Sequence, residues 1–223
     1  MKVILFGATG MVGQGVLQEC LRSSEVEGVL SIGRHASRQQ HPKLREIVHQ
    51  DFADFFEIEG EMSGYDACFF CLGVSSLGMK ERDYRWVTYE FALAAAQTLA
   101  RLNPGMTFIY VSGAGTDSTG RGSTMWARVK GQTENAIFEL FSKAYAFRPA
   151  YIQPLDGIVP KTAWLRALYA VVAPLYPVWK ALLPNYVTTT AQVGRAMIRV
   201  AREGAPKKVL ENRDINEIGG GEG

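Results

Sequence analysis

The 223-residue chain has little of what would announce an extracellular, membrane-spanning or nucleic-acid-binding protein. It holds three cysteines, an odd and small number that cannot supply a disulfide framework. That usage fits a reducing cytoplasm. Net charge is only +2, and no long run of one sign occurs, so a nucleic-acid partner is not expected. No internal repeat and no low-complexity tract precedes the glycine-rich end. The start, one lysine and a short apolar run, lacks the pattern of a secretory leader. The longest apolar stretch, Ala163 to Leu183, is interrupted by Arg166, Pro174, Pro177 and Lys180, so no transmembrane span is expected. What is left is an ordinary globular composition, 47% hydrophobic and 21% charged, at a length that suits one α/β domain.

The first fifteen residues organise the rest. Lys2-Val3-Ile4-Leu5-Phe6 is a short apolar run that reads as a strand buried on both faces, as in a parallel sheet. It runs into Gly7-Ala8-Thr9-Gly10-Met11-Val12-Gly13, after which Val16, Leu17, Cys20 and Leu21 fall at helical spacing. Strand, glycine-rich turn and amphipathic helix in that order form a dinucleotide-binding fingerprint. Gly7 turns the chain off the strand, Gly10 keeps side-chain atoms away from a pyrophosphate, and Gly13 lets the helix lie close to the sheet. The helix start, with its free N–H groups and positive dipole end, holds the phosphates. Thr9, Met11 and Val12 lie in the same turn. Glycines also serve ordinary tight turns, but the strand before and the helix after favour a nucleotide site. The spacing G-x-x-G-x-x-G resembles the atypical members of the short-chain dehydrogenase/reductase superfamily.

The expected fold is therefore α/β, a doubly wound, mostly parallel Rossmann-type sheet with helices on both faces and a small C-terminal helical lid. Gly28-Val29-Leu30-Ser31-Ile32 reads as its second strand. An acidic residue after this strand selects NAD(H) by taking the ribose hydroxyls. Here Gly33-Arg34-His35-Ala36-Ser37-Arg38 follows, with no acid in place. A guanidinium forks onto a 2′-phosphate, which a carboxylate would repel. The expected cofactor is NADP(H) rather than NAD(H), with Arg34 as first contact and Ser37 and Arg38 as helpers. Solvated surface charge remains the alternative for all three.

Ile47-Val48-His49-Gln50 reads as the third strand, with His49 packed or partly exposed rather than catalytic, and Tyr65 to Gly73 as the fourth. Cys68 and Cys71 form a C-x-x-C pair, but in an apolar strand residues three apart face opposite sides, so packing is expected. Ligands in this fold lie beyond the carboxyl ends of the strands, which places Leu72 and Gly73 along the cofactor. Asp83 to Leu102 reads as a long helix capped by Asp83 and stopped at Asn103-Pro104-Gly105. Thr107 to Val111 is the fifth strand, and Met125 opens the next helix. Ala144 to Pro149 is the sixth strand, closed by a proline that cannot donate to a central ladder. Pro149, Ala150 and Ile152 pass the nicotinamide end. Thr189-Thr190-Ala191-Gln192 forms a capping box for the last long helix.

Further motifs sharpen the resemblance: Phe147-Arg148-Pro149, Tyr186 to Thr190 with the Val193/Ala196/Met197/Val200 helix, and Val209 to Ile215. Together they are similar to the HIV Tat-interacting-protein-like branch of the atypical reductases, close to bacterial epimerase-like NAD(P)H-binding proteins. The resemblance implies that Asp51 and Phe52 sit beside the adenine. It also implies a serine at the end of the fifth strand and, on the following helix, a tyrosine and a lysine four residues apart. In that arrangement the lysine holds the nicotinamide ribose, the tyrosine moves the proton and the serine polarises a carbonyl. Ser112 and Lys130 stand in the matching places, but Trp126 occupies the tyrosine's. An indole N–H donates a hydrogen bond yet is no acid or base near neutral pH. Tyr84, Tyr89 and Tyr151 are substitute proton donors to be tested by their positions.

Two functions stay open: an NADP-dependent reductase or epimerase-like enzyme acting on a small apolar carbonyl compound, and a non-catalytic NADPH-loaded protein that controls a protein partner. Residues 1–223 are read as one NAD(P)-binding domain, with an apolar helical subregion over 153–188 and a flexible tail over 217–223. The apolar subregion is a lid or core, an interface (including a homo-oligomer contact), or a membrane-surface contact.

Overall fold

A computed structural model describes residues 1–37, 39–159, 176, 179 and 182–220. The strands are β1 (Lys2–Phe6), β2 (Gly28–Gly33), β3 (Leu44–Val48), β4 (Ala67–Phe70), β5 (Thr107–Val111), β6 (Ala144–Arg148), β7 (Tyr151–Gln153), β8 (Val187–Thr189) and β9 (Val209–Glu211). The helices are α1 (Met11–Arg22), α2 (Glu81–Arg85), α3 (Phe91–Leu102), α4 (Met125–Leu140), α5 (Thr190–Glu203) and α6 (Asn212–Gly219). Seven strands form one sheet in the order β3-β2-β1-β4-β5-β6-β9, every neighbouring pair parallel. The chain starts in the middle, winds to one edge, and crosses back between β1 and β4. That reversal opens a crevice at the carboxyl ends of the two strands, the ligand position of a doubly wound sheet. The Rossmann-type expectation is met.

Alternation along β1 explains the two cores. Val3 and Leu5 face α1, α5 and α6, packing with Val16, Leu17, Val193, Met197 and Ile215. Ile4 and Phe6 face the other way, toward Ala92, Ala95 and Leu99 of α3, Ile137 of α4 and the rings of Phe52 and Phe55. Cys68 and Cys71 divide between these two clusters, as the strand period requires. Burial pushes both thiols up, which suits packing rather than chemistry.

Several expectations shift. The third strand begins at Leu44, three residues earlier than its apolar residues signalled, because β3 is an edge strand on which Arg45 stays exposed. Asp83 does not cap the helix that contains it. That helix starts after Lys80, Asp83 lies in its first turn, and a π-helical turn over Trp86–Glu90 joins α2 to α3. Asp83 instead meets Arg82 at 3.0 Å. Thr189 does cap α5, its hydroxyl accepting the Gln192 N–H at 3.0 Å. The two ends of the expected helical lid are strands: β7 and β8 form a small parallel pair. Residues 160–175, 177–178 and 180–181, most of that lid, lie outside the described residues. The expected flexible tail begins too early, since α6 extends to Gly219, whose carbonyl accepts from Arg195 Nε at 2.9 Å. Among the described residues, no helix is long and apolar enough to cross a membrane.

The join of sheet and first helix tolerates no added atom. A Cβ on Gly13 would lie 2.0 Å from the Gly7 carbonyl oxygen. Gly13→Ala should therefore lower the unfolding free energy in urea by about 1–3 kcal/mol through overpacking, although alanine elsewhere favours a helix by about 1 kcal/mol. Gly60→Ala, with nothing within 4 Å of the new Cβ, should stay within about 0.5 kcal/mol. Equal effects at the two positions would contradict this packing.

Candidate functional site

The glycine turn sits at the crevice. Gly7 has φ +84°, and a Cβ there would meet the Cys71 carbonyl group and the Leu72 nitrogen at 2.7 Å, so β1 and β4 close together just past their ends. Gly10 N–H donates to the Gly7 carbonyl at 2.9 Å and begins α1 as its cap residue. The first helical bond runs from Gln14 N–H to the Gly10 carbonyl, leaving the N–H groups of Met11, Val12 and Gly13 without helical partners. Gln14 Nε2 holds the Thr9 carbonyl at 3.1 Å. Gly10 is half-buried, and among the described residues the only close neighbour for an added Cβ is the Gly7 oxygen at 3.3 Å. The turn is closed on its inner side and, among the described residues, open on its outer side. Leu72 and Gly73 continue the same rim, with no described residue within 4 Å of a Cβ on Gly73.

Along the rim, Arg34 is exposed just past β2 and makes no ion pair among the described residues. Its backbone carbonyl is held by Gln50 Nε2 at 3.0 Å. Ser37 is less free: its N–H donates to Glu46 at 2.7 Å and its hydroxyl accepts the Gln39 N–H at 3.2 Å. Arg38 lies outside the described residues. Asp51 is exposed and accepts the Ala53 N–H, whereas the Phe52 ring is 1% exposed, locked among Phe6, Phe55 and Phe91. Of that pair, only Asp51 offers its side chain to a ligand. His49 is packed against Phe52 and Phe55, its Nε2 2.7 Å from the Asp54 carbonyl oxygen.

At the other end, Lys130 Nζ donates to the Ser112 carbonyl, so the ammonium stands at the end of β5. Ser112 does not present its hydroxyl to the crevice. The residue is 5% exposed, and its Oγ donates to Glu134 Oε1 at 2.5 Å with the Phe147 carbonyl 3.2 Å away. Trp126 is half-buried over the glycine-rich loop, its ring 3.4 Å from where a Gly115 Cβ would stand. The substitute donors do not gather here. Tyr84 is 1% exposed in the interior beside Thr88 and Tyr110, and Tyr89 lies under the Arg85 guanidinium at 3.9 Å. Tyr151 donates to Gln153 Oε1 at 2.9 Å. Past β6, the Pro149 carbonyl accepts the Ala114 N–H and the Ala150 N–H donates to Asn212 Oδ1 at 3.0 Å. Ile152 is buried in β7. Among the described residues, no group of three metal-ligating side chains occurs.

Sequence reasoning missed the ion pair behind Ser112. Glu134 and Arg148 meet at 2.5 Å with side chains 1% and 8% exposed. The available signals were an acid one turn after Lys130 and an arginine inside an otherwise apolar strand.

No protein-family model matches the chain. It is similar to the protein fmp52-2, mitochondrial, of Aspergillus oryzae, 26% identical over 221 residues that span 96% of this chain and 95% of that protein. It is similar to HTATIP2 of Rattus norvegicus, 26% identical over 223 residues, 98% and 89% of the two chains. Among solved structures it resembles the Bordetella bronchiseptica enzyme WbmF in complex with NAD+ and UDP. The TM-score is 0.69 at 16% identity, covering 98% of this chain and 77% of that one, a likeness of fold.

Burial pulls the Lys130 ammonium down from 10.5 to about 8, with Glu134 opposing. Between those values the unfolded chain binds the extra proton, so this lysine's contribution to stability rises with pH across about 8 to 10.5. Buried thiols and phenols act in the opposite direction, and equally in a variant lacking the lysine. In urea unfolding, the stability of Lys130→Met relative to wild type should therefore shrink as pH rises through that window, by at most about 1.4 kcal/mol per pH unit. A difference independent of pH would show that Lys130 keeps an ordinary pKa.

Proposed function

We propose that this chain, which belongs to the atypical short-chain dehydrogenase/reductases alongside HTATIP2 and FMP52, binds NADP(H) along the crevice from Arg34 through the glycine turn to Lys130. One observation carries the reading: a glycine turn closed tightly on the sheet and, among the described residues, open outward, above helix N–H groups that lack partners there. Solved neighbours of the same fold are described in complex with NAD, which supports a dinucleotide here. The preference for the 2′-phosphorylated form rests on Arg34, exposed past β2 with no ion pair among the described residues and no acid beside it in sequence. Bound there, the nicotinamide would supply or accept a hydride. The chain's own residues grip phosphates at Gly10 to Gly13, take the 2′-phosphate at Arg34 and set an ammonium at Lys130.

Two functions are compatible with that site. The first is reduction, or epimerase-like chemistry, on a small apolar carbonyl compound. The second is an NADPH-loaded protein whose occupancy controls a partner. A specific observation favours the second: the Ser112 hydroxyl is spent on Glu134, and Trp126 stands where a proton-transferring tyrosine is needed. Cysteine usage suggests the cytoplasm, while a fungal relative carries the word mitochondrial in its name.

Two experiments test these readings. Arg34→Asp should weaken NADPH binding in calorimetry by about 10–100-fold while NADH changes by less than about threefold. Equal weakening of both would remove Arg34 from the 2′-phosphate. In the second, NADPH at about 100 times its Kd should protect the wild-type protein against unfolding by about 2.7 kcal/mol, with no NADPH consumed across a panel of aldehydes and ketones. Trp126→Tyr should keep the protection. Wild-type turnover on the panel would contradict the regulatory reading and restore the enzyme.

A further inference from the structure

Of the charged groups buried behind the crevice, Glu134 enters the reading above only as the partner of Ser112, and Arg148 not at all. Glu134, one turn beyond Lys130 on α4, is 1% exposed. Its Oε1 accepts the Ser112 hydroxyl at 2.5 Å and Arg148 Nε at 3.0 Å, and its Oε2 accepts Arg148 Nη2 at 2.5 Å. Arg148 goes on to Ser118 Oγ at 2.7 Å and Glu211 at 3.4 Å. Carboxylate and guanidinium thus tie α4, β5, β6 and the glycine-rich loop together. A buried ion pair of this kind gains little net stability, because desolvation offsets the attraction and well-packed apolar residues often do as well. Stability therefore gives no sufficient account of it.

The geometry points to Glu134 as the positioning residue of Lys130. Clamped by Arg148, it fixes Ser112 through the hydroxyl, and the Ser112 carbonyl then holds the ammonium at the end of the cofactor crevice. Ser112 is the hinge of this arrangement: its side chain answers to Glu134 and its backbone oxygen to Lys130. The charge acts in the same sense. Burial drives Lys130 toward its neutral form, and the Glu134 carboxyl group opposes it. Around them, Arg148 faces Glu134 from β6, Glu211 faces Arg148 from β9, and Tyr110 faces Glu134 from β5 with its phenol pushed up by burial and hence neutral.

The inference rests on the proposal that Lys130 meets the dinucleotide, and its test separates the two. The full-length protein without nucleotide is titrated by lysine 13Cε NMR, with Lys130→Arg identifying the resonance. The wild-type midpoint should lie near pH 8. Glu134→Gln keeps an acceptor for Ser112 but removes the charge, and should lower the midpoint by about one pH unit, with Glu134→Asp restoring most of it. NADPH binding to Glu134→Gln should be near wild type at pH 6 and about fivefold weaker at pH 8, as a one-unit shift dictates. Because Glu134→Gln leaves Arg148 with only the Glu211 carboxylate, 3.4 Å away, Glu134→Gln/Arg148→Met is measured beside it and should also move the midpoint downward, by less, since a cation is lost with the carboxylate. An unmoved Lys130 midpoint in the folded variants overturns the proposal, and so does an equal loss of affinity at pH 6 and pH 8. If the wild type binds no nucleotide, the cofactor reading falls, while the lysine titration still decides the role of Glu134.

Discussion

The site depends on how closely the first helix approaches the first strand. Gly7 and Gly13 meet with no room for a methyl group, and the Gly7 carbonyl anchors the turn through Gly10. This contact aims the start of α1 at the crevice between β1 and β4, where the strand order reverses. Free N–H groups and the positive end of the helix dipole are thereby fixed before any ligand arrives. Under the proposed function, a phosphate group arriving there would meet donors that need no reorganisation.

The far end of the crevice is built on different physics. There the organising forces are charges withdrawn from water, and each one is satisfied through another. Arg148 neutralises Glu134, Glu134 engages Ser112, and Ser112 receives Lys130. The arrangement costs desolvation and gains geometry. It also consumes the hydroxyl that a reductase would aim at a carbonyl. With an indole in the place of the phenol, this end presents the Lys130 ammonium beside a side chain that is no acid or base near neutral pH. Tyr84, Tyr89 and Tyr151, each engaged elsewhere, do not repair that deficit.

Much of the fold was legible because it rests on short-range patterns. Apolar runs with no helical period gave β1, β4 and β5, and the glycine spacing gave the turn and the helix behind it. Cys68 and Cys71 were readable as packing from strand alternation alone. Failures occurred where pairing is long-range or side-chain direction decides. The strands β7 and β8 are three residues each and pair across more than thirty residues of sequence, so neither carries a period of its own. The charged residues at the start of β3 hid where that edge strand begins, and the π-turn at Trp86 to Glu90 interrupts a pattern that still reads as continuous helix. Ser112 was placed correctly at the end of β5. Which way its hydroxyl points depends on Glu134, a residue 22 positions away.

The central claim is that the glycine turn and Arg34 together select a 2′-phosphorylated dinucleotide. Isothermal calorimetry of the wild-type protein with NADPH and with NADH, at one salt concentration, tests it most directly. The account predicts that both bind and that NADPH binds at least about tenfold more tightly, the value of one well-made charge-assisted contact. Equal affinities, a preference for NADH, or no heat of binding from either at millimolar concentration would contradict it.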